Sequence, residues 1–227
     1  FSEQRTAALY PSYLSPLGTQ EWVNDFTTTA IDNIRNGKST VLCVPDFRNI
    51  STLEKSIHQA GFSEVLIRLD SSITGQERYV NYLRSIQPTP VIILGNRSAV
   101  LSPAHNLGSI LVWDESDQNM TEQHAPYYSV RDAALIRQQN EECALVFASY
   151  SRSVFIERLV SLGWLSEKPF SYNDGPRIIA SDSMIEADTF TQRMPSIALT
   201  TAKNALKQGP VLIQVASPGY TGSLACS

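Results

Sequence analysis

The stretch Pro90–Asp117, PVIILGNRSAVLSPAHNLGSILVWDESD, decides the fold of this chain. It contains two unbroken apolar runs, Val91–Leu94 and Ile110–Trp113, and each run ends at a polar turn. Short apolar runs without polar alternation are typical of strands that are buried on both faces of a parallel sheet. The stretch therefore predicts two such strands and an α/β domain around them.

The remaining sequence alternates between strand and helix patterns. Further apolar runs predict strands at Thr40–Val44, Glu64–Leu69 and Ala144–Phe147. Strands that alternate with helices at this spacing predict a doubly wound parallel sheet with right-handed crossovers. Apolar periodicity and capping residues predict the helices, at Glu21–Arg35, after a cap at Ser51, and at Gln76–Arg84, Ala125–Asn140 and Ser153–Leu162.

Changes in sequence pattern divide the chain into three parts. Residues 1–20 contain Pro11, Pro16 and Gly18 and predict an irregular entry segment. Residues 21–165 carry the predicted sheet. Residues 166–227 are expected to form a linker and an unfinished second α/β unit, with strands at 177–180 and 211–215 on either side of a helix at Ile197–Lys207.

Composition limits the class of protein. The net charge of −4 and the pI of about 5.4 give no basic surface of the kind that marks nucleic-acid binding. No apolar run approaches the roughly 20 residues that a membrane span needs, so no membrane contact is predicted. Cys43 and Cys143 lie in apolar runs, which predicts reduced core thiols and a cytoplasmic protein. Phe1 is not an initiator residue, and no signal-like charged-then-apolar segment follows it, so we expect a piece of a longer protein.

Three acidic residues, Asp114, Glu115 and Asp117, follow the second apolar run. Ligands of open parallel sheets bind outside the carboxyl ends of the strands, where such residues would lie. Carboxylates at this place could bind a metal ion or act as general bases. The alternative is a solvated acidic turn, and the residues alone leave both interpretations open.

An apolar strand that ends in acidic residues also has the form of a Walker B element, in which a carboxylate holds the magnesium ion of a bound nucleotide. The residue at the magnesium-binding position is Trp113. A nucleotide site also needs a glycine-rich loop whose N–H groups and lysine bind the phosphates. The candidate loop, Leu17–Glu21, has one glycine and no lysine.

The segments Gly95–Pro103 and Asn106–Gly108, followed by Trp113–Ser116, resemble the PriA-like family of replication restart helicases, also called primosomal protein N′. The resemblance covers about residues 15–227. It implies a RecA-like, P-loop-type sheet followed by the start of a second RecA-like lobe. Further matching segments are Ala125–Tyr128, Arg131–Asp132, Ala148–Ser151, Gly209–Leu212, Gly219–Tyr220 and Leu224–Cys226.

The departures from the family pattern fall in the nucleotide site. The resemblance places the Walker B aspartate on Trp113, followed by Asp114, Glu115 and, at the histidine of the motif, Ser116. Without its charged groups the site would lose most of the electrostatic stabilisation of phosphoryl transfer, so no catalytic residue is predicted and ATP as a cofactor is put in doubt. The degenerate Walker A segment comprises Gly18, Thr19, Gln20, Glu21, Trp22 at the lysine position and Val23 at the magnesium-binding hydroxyl position.

By resemblance, the whole protein would bind branched or forked DNA, mainly through parts outside this segment, and would recruit primosome and replication proteins. Cys226 would be a zinc ligand in the full-length protein only. One alternative is an active DNA-dependent ATPase and 3′–5′ helicase with a rearranged site that uses Asp114 and Glu115. Another is a small-molecule-binding α/β domain without a DNA role.

Overall fold

The computed structural model describes residues 4–10, 21–168 and 196–213, and the chain divides into two compact units, Phe1–Tyr172 and Asn173–Ser227. Short 3₁₀ helices occupy Ser63–Val65, Arg97–Leu101 and Gln118–Met120 of the first unit. The described part of the second unit contains the helix α6 (Ser196–Ala205). The strands and helices of the first unit are β1 (Arg5–Leu9), α1 (Glu21–Arg35), β2 (Ser39–Cys43), α2 (Phe47–Gln59), β3 (Leu66–Leu69), α3 (Gly75–Ser85), β4 (Ile92–Gly95), β5 (Leu107–Trp113), α4 (Val130–Glu141), β6 (Ala144–Ser149), α5 (Val154–Ser161) and β7 (Ser166–Lys168).

All seven strands form one parallel sheet in the order β3-β4-β2-β5-β6-β1-β7. The predicted doubly wound parallel α/β sheet is confirmed. β5 lies between β2 and β6, and β1 lies beside β6. The carboxyl ends of β1, β5 and β6 therefore lie together at one edge of the sheet.

The side chains of β2 show why its apolar run forms a central strand. Val41 and Cys43 belong to one buried cluster, together with residues of α4 and α5. Leu42 belongs to the cluster on the opposite face, together with residues of α1 and α2. Successive side chains of a strand point to opposite faces, so a strand covered by helices on both sides needs apolar residues at every position. All five residues of β2 are buried.

The prediction that residues 1–20 form an irregular segment is wrong for Arg5–Leu9, which forms β1. Its sequence, RTAAL, carries a weak strand signal because alanine has a low strand propensity. Pairing with β6 and burial stabilise it, since Ala7 lies opposite Phe147 and is almost fully buried. β7 was also missed, and both strands extend the first sheet beyond the predicted limits of 21–165.

Most predicted helices are confirmed, with shifts at two starts. α2 begins at Phe47 because Asp46, and not Ser51, accepts the N–H of Asn49 at 2.9 Å as the N-cap. α4 begins at Val130 and not at Ala125, because Ser129 is its N-cap. In the second unit, residues 211–213 are not a strand, and the predicted strand at 177–180 lies outside the described residues. No described helix has the length and apolarity that spanning a membrane would require.

The family-like motif at the end of β4 has a structural role. A Cβ atom on Gly95 would lie 2.4 Å from the carbonyl oxygen of Leu69 and 3.0 Å from the Cβ of Ala99. The next residue, Asn96, donates its side-chain amide to the carbonyl of Val44 at 3.0 Å. These two residues therefore join the ends of β3, β4 and β2 closely enough to exclude any side chain at position 95.

The motif Asn106–Gly108 lies at the opposite edge of the sheet. A Cβ on Gly108 would lie 2.9 Å from Oδ1 of Asn33 in α1, so glycine leaves room for that side chain. Asn33 donates to the hydroxyl groups of Thr40 at 2.8 Å and Ser109 at 2.7 Å. This motif therefore supports a polar network that ties α1 to β2 and β5, far from the candidate site.

We expect Gly95→Ala to lower the free energy of unfolding by about 1–3 kcal/mol, the range for overpacking a filled interior. The added methyl group would meet the backbone oxygen of Leu69, which cannot move without disturbing β3. Urea unfolding followed by circular dichroism measures this loss. Gly75→Ala is the matched control, since no atom lies within 4 Å of the added Cβ. Equal midpoints for the two variants would contradict the steric argument.

Candidate functional site

Two tryptophans meet at the edge of the sheet where β5 ends. Trp113 is the last residue of β5, and Trp22 is the second residue of α1. Their ring centroids lie 4.1 Å apart and the ring planes differ by 10°, which is a stacked arrangement. Both side chains are almost completely buried, with exposed fractions of 1% for Trp22 and 2% for Trp113.

Other aromatic side chains surround this tryptophan stack. Phe26, one turn further along α1, meets Trp22 edge-on with a centroid distance of 5.5 Å. Tyr150 follows β6 and meets Trp113 edge-on at 4.9 Å, while Tyr10 follows β1 and lies 6.0 Å from Trp113. Tyr150 remains about half exposed, so it covers the solvent side of the cluster. The ends of β1, β5 and β6 and the start of α1 thus converge on one aromatic centre.

The tryptophan stack is an apolar environment. Nε1 of Trp22 is buried and has no hydrogen-bond partner among the described residues. A buried donor without a partner costs about 1–3 kcal/mol, and the burial and stacking of the rings offset that cost. A binding site for phosphate groups and a magnesium ion requires positive charge, N–H donors and carboxylates instead. The indole rings supply none of these apart from the single N–H groups.

Asp114 continues the chain directly after the stack. It has a positive φ of 50°, and its N–H donates to the carbonyl oxygen of Ala148 at 2.8 Å. Its carboxylate accepts a hydrogen bond from the hydroxyl group of Ser116 at 3.2 Å. Burial raises the pKa of Asp114, the Ser116 bond opposes this, and the nearby charge of Asp117 adds to it. The backbone at Asp114 therefore turns the chain away from the sheet.

Glu115 stabilises the start of α5. Its buried carboxylate accepts a hydrogen bond from the hydroxyl of Ser153, and the same hydroxyl caps the helix by accepting the N–H of Ile156 at 3.2 Å. Burial raises the pKa of Glu115, while the bond from Ser153 and the charge of Arg131 lower it. One oxygen of this carboxylate therefore supports the N-cap residue of α5.

The acidic residues do not converge on one point. Asp117 caps the 3₁₀ helix Gln118–Met120 by accepting the N–H of Asn119 at 2.7 Å. Within residues 4–10, 21–168 and 196–213, no group of three histidine, cysteine or acidic side chains could hold a metal ion. Each carboxylate of the Asp114–Asp117 turn has a local structural partner, which favours the interpretation as a structural turn.

A polar cluster that sequence analysis missed lies beside the tryptophan stack. The hydroxyl group of Tyr10 donates to Asp25 of α1 at 2.6 Å, and Lys168 of β7 forms an ion pair with the same carboxylate. Burial raises the pKa of Tyr10, and the bonded carboxylate of Asp25 adds to the increase, so the phenol remains protonated at neutral pH. The cluster ties β1, α1 and β7 together, and residues so distant in sequence give no local signal of their contact.

The predicted site residues are only partly brought together. Trp113 contacts Trp22, whereas Asp114, Glu115 and Ser116 belong to the turn that leaves the sheet. Glu21 is exposed at the start of α1, and Val23 is buried in the core. The predicted residues Gly18, Thr19, Gln20 and Cys226 lie outside the described residues.

Comparisons with known proteins point to one family. The chain is 32% identical over 215 residues to "Probable replication restart protein PriA" of Mycobacterium tuberculosis. The match covers 90% of this chain and 33% of that protein. It is 26% identical over 121 residues to the replication restart protein PriA of Treponema pallidum, covering 53% of this chain and 18% of the relative. The chain thus spans about a third of the length of the mycobacterial relatives that it matches.

The comparisons with protein-family models and with solved structures do not identify the family. No model of a protein family matches the chain. Among solved structures, the UvsW helicase from bacteriophage T4 is 12% identical, with a TM-score of 0.48, and the match covers 72% of this chain and 53% of the helicase.

The mycobacterial matches extend over almost the whole chain, whereas the treponemal match covers about half of it. The residues that carry the family pattern, Gly95–Pro103 and Asn106–Gly108, lie at defined structural positions. The chain is therefore a PriA-like member of the replication restart proteins, similar to those of the actinobacterial genus Mycobacterium.

Proposed function

We propose that this chain is the first RecA-like lobe and the beginning of the second lobe of a replication restart protein that acts without ATPase or helicase activity. In this proposal the whole protein binds DNA forks and serves as a platform on which the primosome assembles. The observation that carries the proposal is the stack of Trp22 on Trp113, since these residues stand at the lysine and aspartate positions of the nucleotide site.

The residues that differ from the family pattern at the nucleotide site contact one another. Trp22 and Trp113 stack on each other, and Tyr150, which stands where the family has the alanine of Gly-Ser-Ala-Thr, packs on Trp113. In a phosphoryl-transfer site these positions would contact phosphate oxygens and a magnesium ion. Here the three aromatic rings pack against one another instead. This packing supports a structural role for them in stabilising the lobe.

The alternative of a rearranged, active site has weaker support. It needs Asp114 and Glu115 to hold magnesium or activate water. Glu115 accepts a hydrogen bond from Ser153, the N-cap of α5, and Asp114 itself has the left-handed backbone conformation with which the chain leaves β5. A working site that used the oxygen bonded to Ser153 would have to break that hydrogen bond, which supports the N-cap residue of α5.

We expect the full-length protein to neither bind nor hydrolyse ATP, with or without DNA, because indole rings occupy the positions of the two charged groups. Titration of a fluorescent ATP analogue in the presence of magnesium measures binding, and steady-state phosphate release measures turnover. Asp114→Ala should change neither quantity.

Asp32→Ala is the matched control, because it removes an exposed carboxylate in the last turns of α1, away from the acidic turn. A DNA-stimulated rate of phosphate release that Asp114→Ala abolishes and Asp32→Ala preserves would refute the inactive-site proposal and favour the rearranged ATPase.

Most arginines of the first unit are engaged within the protein. Arg68, Arg97, Arg137 and Arg152 form ion pairs with carboxylates, and the bond from Arg97 helps to lower the pKa of Glu122 to about 2. Non-specific DNA affinity depends on the number of phosphates that lysine and arginine neutralise. The internal pairing and the net charge of −4 therefore support fork binding mainly through other parts of the full-length protein.

We expect this chain by itself to bind a forked oligonucleotide weakly at about 150 mM salt. Its dissociation constant should lie within the range of about 10⁻⁴–10⁻⁶ M that is typical of non-specific binding, or be larger. Fluorescence anisotropy measures the affinity of this chain and of the full-length protein on the same fork.

Tight binding by the full-length protein and weak binding by this chain would support the platform proposal. Sub-micromolar binding by this chain would reveal a DNA surface within it. Absence of fork binding by the full-length protein would instead favour the small-molecule-binding alternative.

Zinc binding in the full-length protein is assigned to Cys226 rather than to the other two cysteines. Burial raises the pKa of Cys43 to about 12 and that of Cys143 to about 11, which keeps both thiols protonated. Zinc binds the thiolate form of cysteine, and a structural site takes four ligands. Both residues are reduced and buried, as predicted, and neither is available as a ligand.

We expect the full-length protein to contain structural zinc and Cys226→Ser to lower its zinc content, because the substitution removes a thiolate ligand. Elemental analysis of the purified variants gives the stoichiometry. Cys143→Ala serves as the control and should leave the zinc content unchanged, since its thiol lies buried beside β6. Equal zinc in wild type and Cys226→Ser would refute the assignment of Cys226.

A further inference from the structure

β3 is the outermost strand on one side of the sheet within the described residues. The outer edge of such a strand presents backbone N–H and C=O groups that no neighbouring strand satisfies. Exposed edges pair readily with strands of other molecules, so folded proteins cover or interrupt them. The cover at β3 is the helix α3.

Three side chains of α3 donate hydrogen bonds to carbonyl groups along this edge. Asn81 donates to the carbonyl of Arg68 at 2.9 Å, in the middle of β3. Arg78 donates to the carbonyl of Asp70 at 2.6 Å, just after the strand, and Arg84 donates to that of Glu64 at 2.6 Å, just before it. We call Arg78, Asn81 and Arg84 the donor row.

The spacing of the donor row matches the spacing of the acceptors. Residues three apart on a helix lie on nearly the same face, so Arg78, Asn81 and Arg84 all point toward the strand. The acceptors lie in the order Glu64, Arg68 and Asp70, in the 3₁₀ helix before β3, in β3 and directly after it. The donors therefore run along α3 in the opposite direction to their acceptors along β3, as two antiparallel elements require.

Apolar burial contributes little to the attachment of α3. Ser85 is the only buried residue of the helix. Its large apolar side chains are exposed to between 38% and 63%, and they are Tyr79, Val80, Tyr82 and Leu83. Helices usually pack through an apolar stripe, which α3 lacks on the side that faces the sheet. Polar contacts, with the donor row at their centre, must hold this helix in place.

The strand itself carries a second protective feature. Arg68 in β3 forms ion pairs with Glu54 of α2 at 3.1 Å and with Asp70 at 2.9 Å. Burial raises the pKa of Asp70, but hydrogen bonds from Ser72 and Arg68 outweigh that effect and lower it. A charged side chain on an edge strand discourages pairing with another strand, because the pairing would desolvate the charge.

We propose that α3 covers the outer edge of β3 and so prevents that edge from pairing with β3 of a second copy of this chain. The hydrogen bonds of the donor row hold α3 in this position. A second copy is the partner that fits, since its β3 has the same short apolar run, Leu66-Ile67 and Leu69, and the same edge carbonyls, which become available for pairing only when the donor row is displaced. The proposal is independent of the function proposed above, because it uses no residue of the tryptophan stack.

The test removes the donors and keeps the helix. The triple substitution Arg78→Met, Asn81→Leu and Arg84→Met in the full-length protein retains good helix formers at all three positions. Amide hydrogen exchange of Leu66–Leu69 should become at least about tenfold faster at low protein concentration. At high concentration, light scattering should detect a dimer that wild-type protein does not form.

Tyr79→Ala is the matched control, since it changes an exposed side chain of the same helix without touching the edge. Unchanged exchange in Leu66–Leu69 of the triple variant, relative to this control, would overturn the proposal. If the triple variant fails to fold, the single variant Asn81→Leu replaces it, because its donor bonds the centre of β3. Faster exchange without any dimer would overturn the self-pairing part, and an equal effect of Tyr79→Ala would assign the change to α3 stability alone.

Discussion

The burial of the Trp22–Trp113 stack is the interaction on which the rest of this edge of the sheet depends. Two large rings can be removed from water here only if their neighbours are apolar, and Phe26, Tyr10 and the edge of Tyr150 provide those neighbours. A lysine or an aspartate among them would require desolvation of a charge without a partner, which is costly in a dry interior. The stack therefore fixes an apolar character at this edge of the sheet.

The polar residues around the stack follow from the same constraint. Charged groups near the edge are paired with one another or with helix ends, as in the Lys168–Asp25 pair with Tyr10 and the Glu115–Ser153 bond. The motif residues that persist are the ones that shape the backbone, Gly95 and Gly108 above all. These two glycines therefore act through the close approach of neighbouring atoms, independently of any chemistry at the edge.

Strands and helices were predicted correctly where the residues of the segment itself show the pattern typical of that structure. The runs that became β2, β4 and β5 are apolar at nearly every position, because helices cover both faces of a central strand. The strands β1 and β7 were missed because RTAAL and SEK have no such run and gain their structure by pairing with the edge of the sheet. The start of α2 was misplaced because Asp46 and Ser51 are both acceptable caps, and packing chooses between them.

The sequence by itself determined the doubly wound fold class and the core positions of Cys43 and Cys143, because each of these properties is carried by residue types and local spacing. Only the tertiary structure decided that Trp22 and Trp113 stack on each other, that Glu115 accepts a hydrogen bond from Ser153, the N-cap of α5, and that α3 covers β3. Those contacts join residues far apart in the chain. The order of strands in the sheet sets them, and local spacing carries no information about that order.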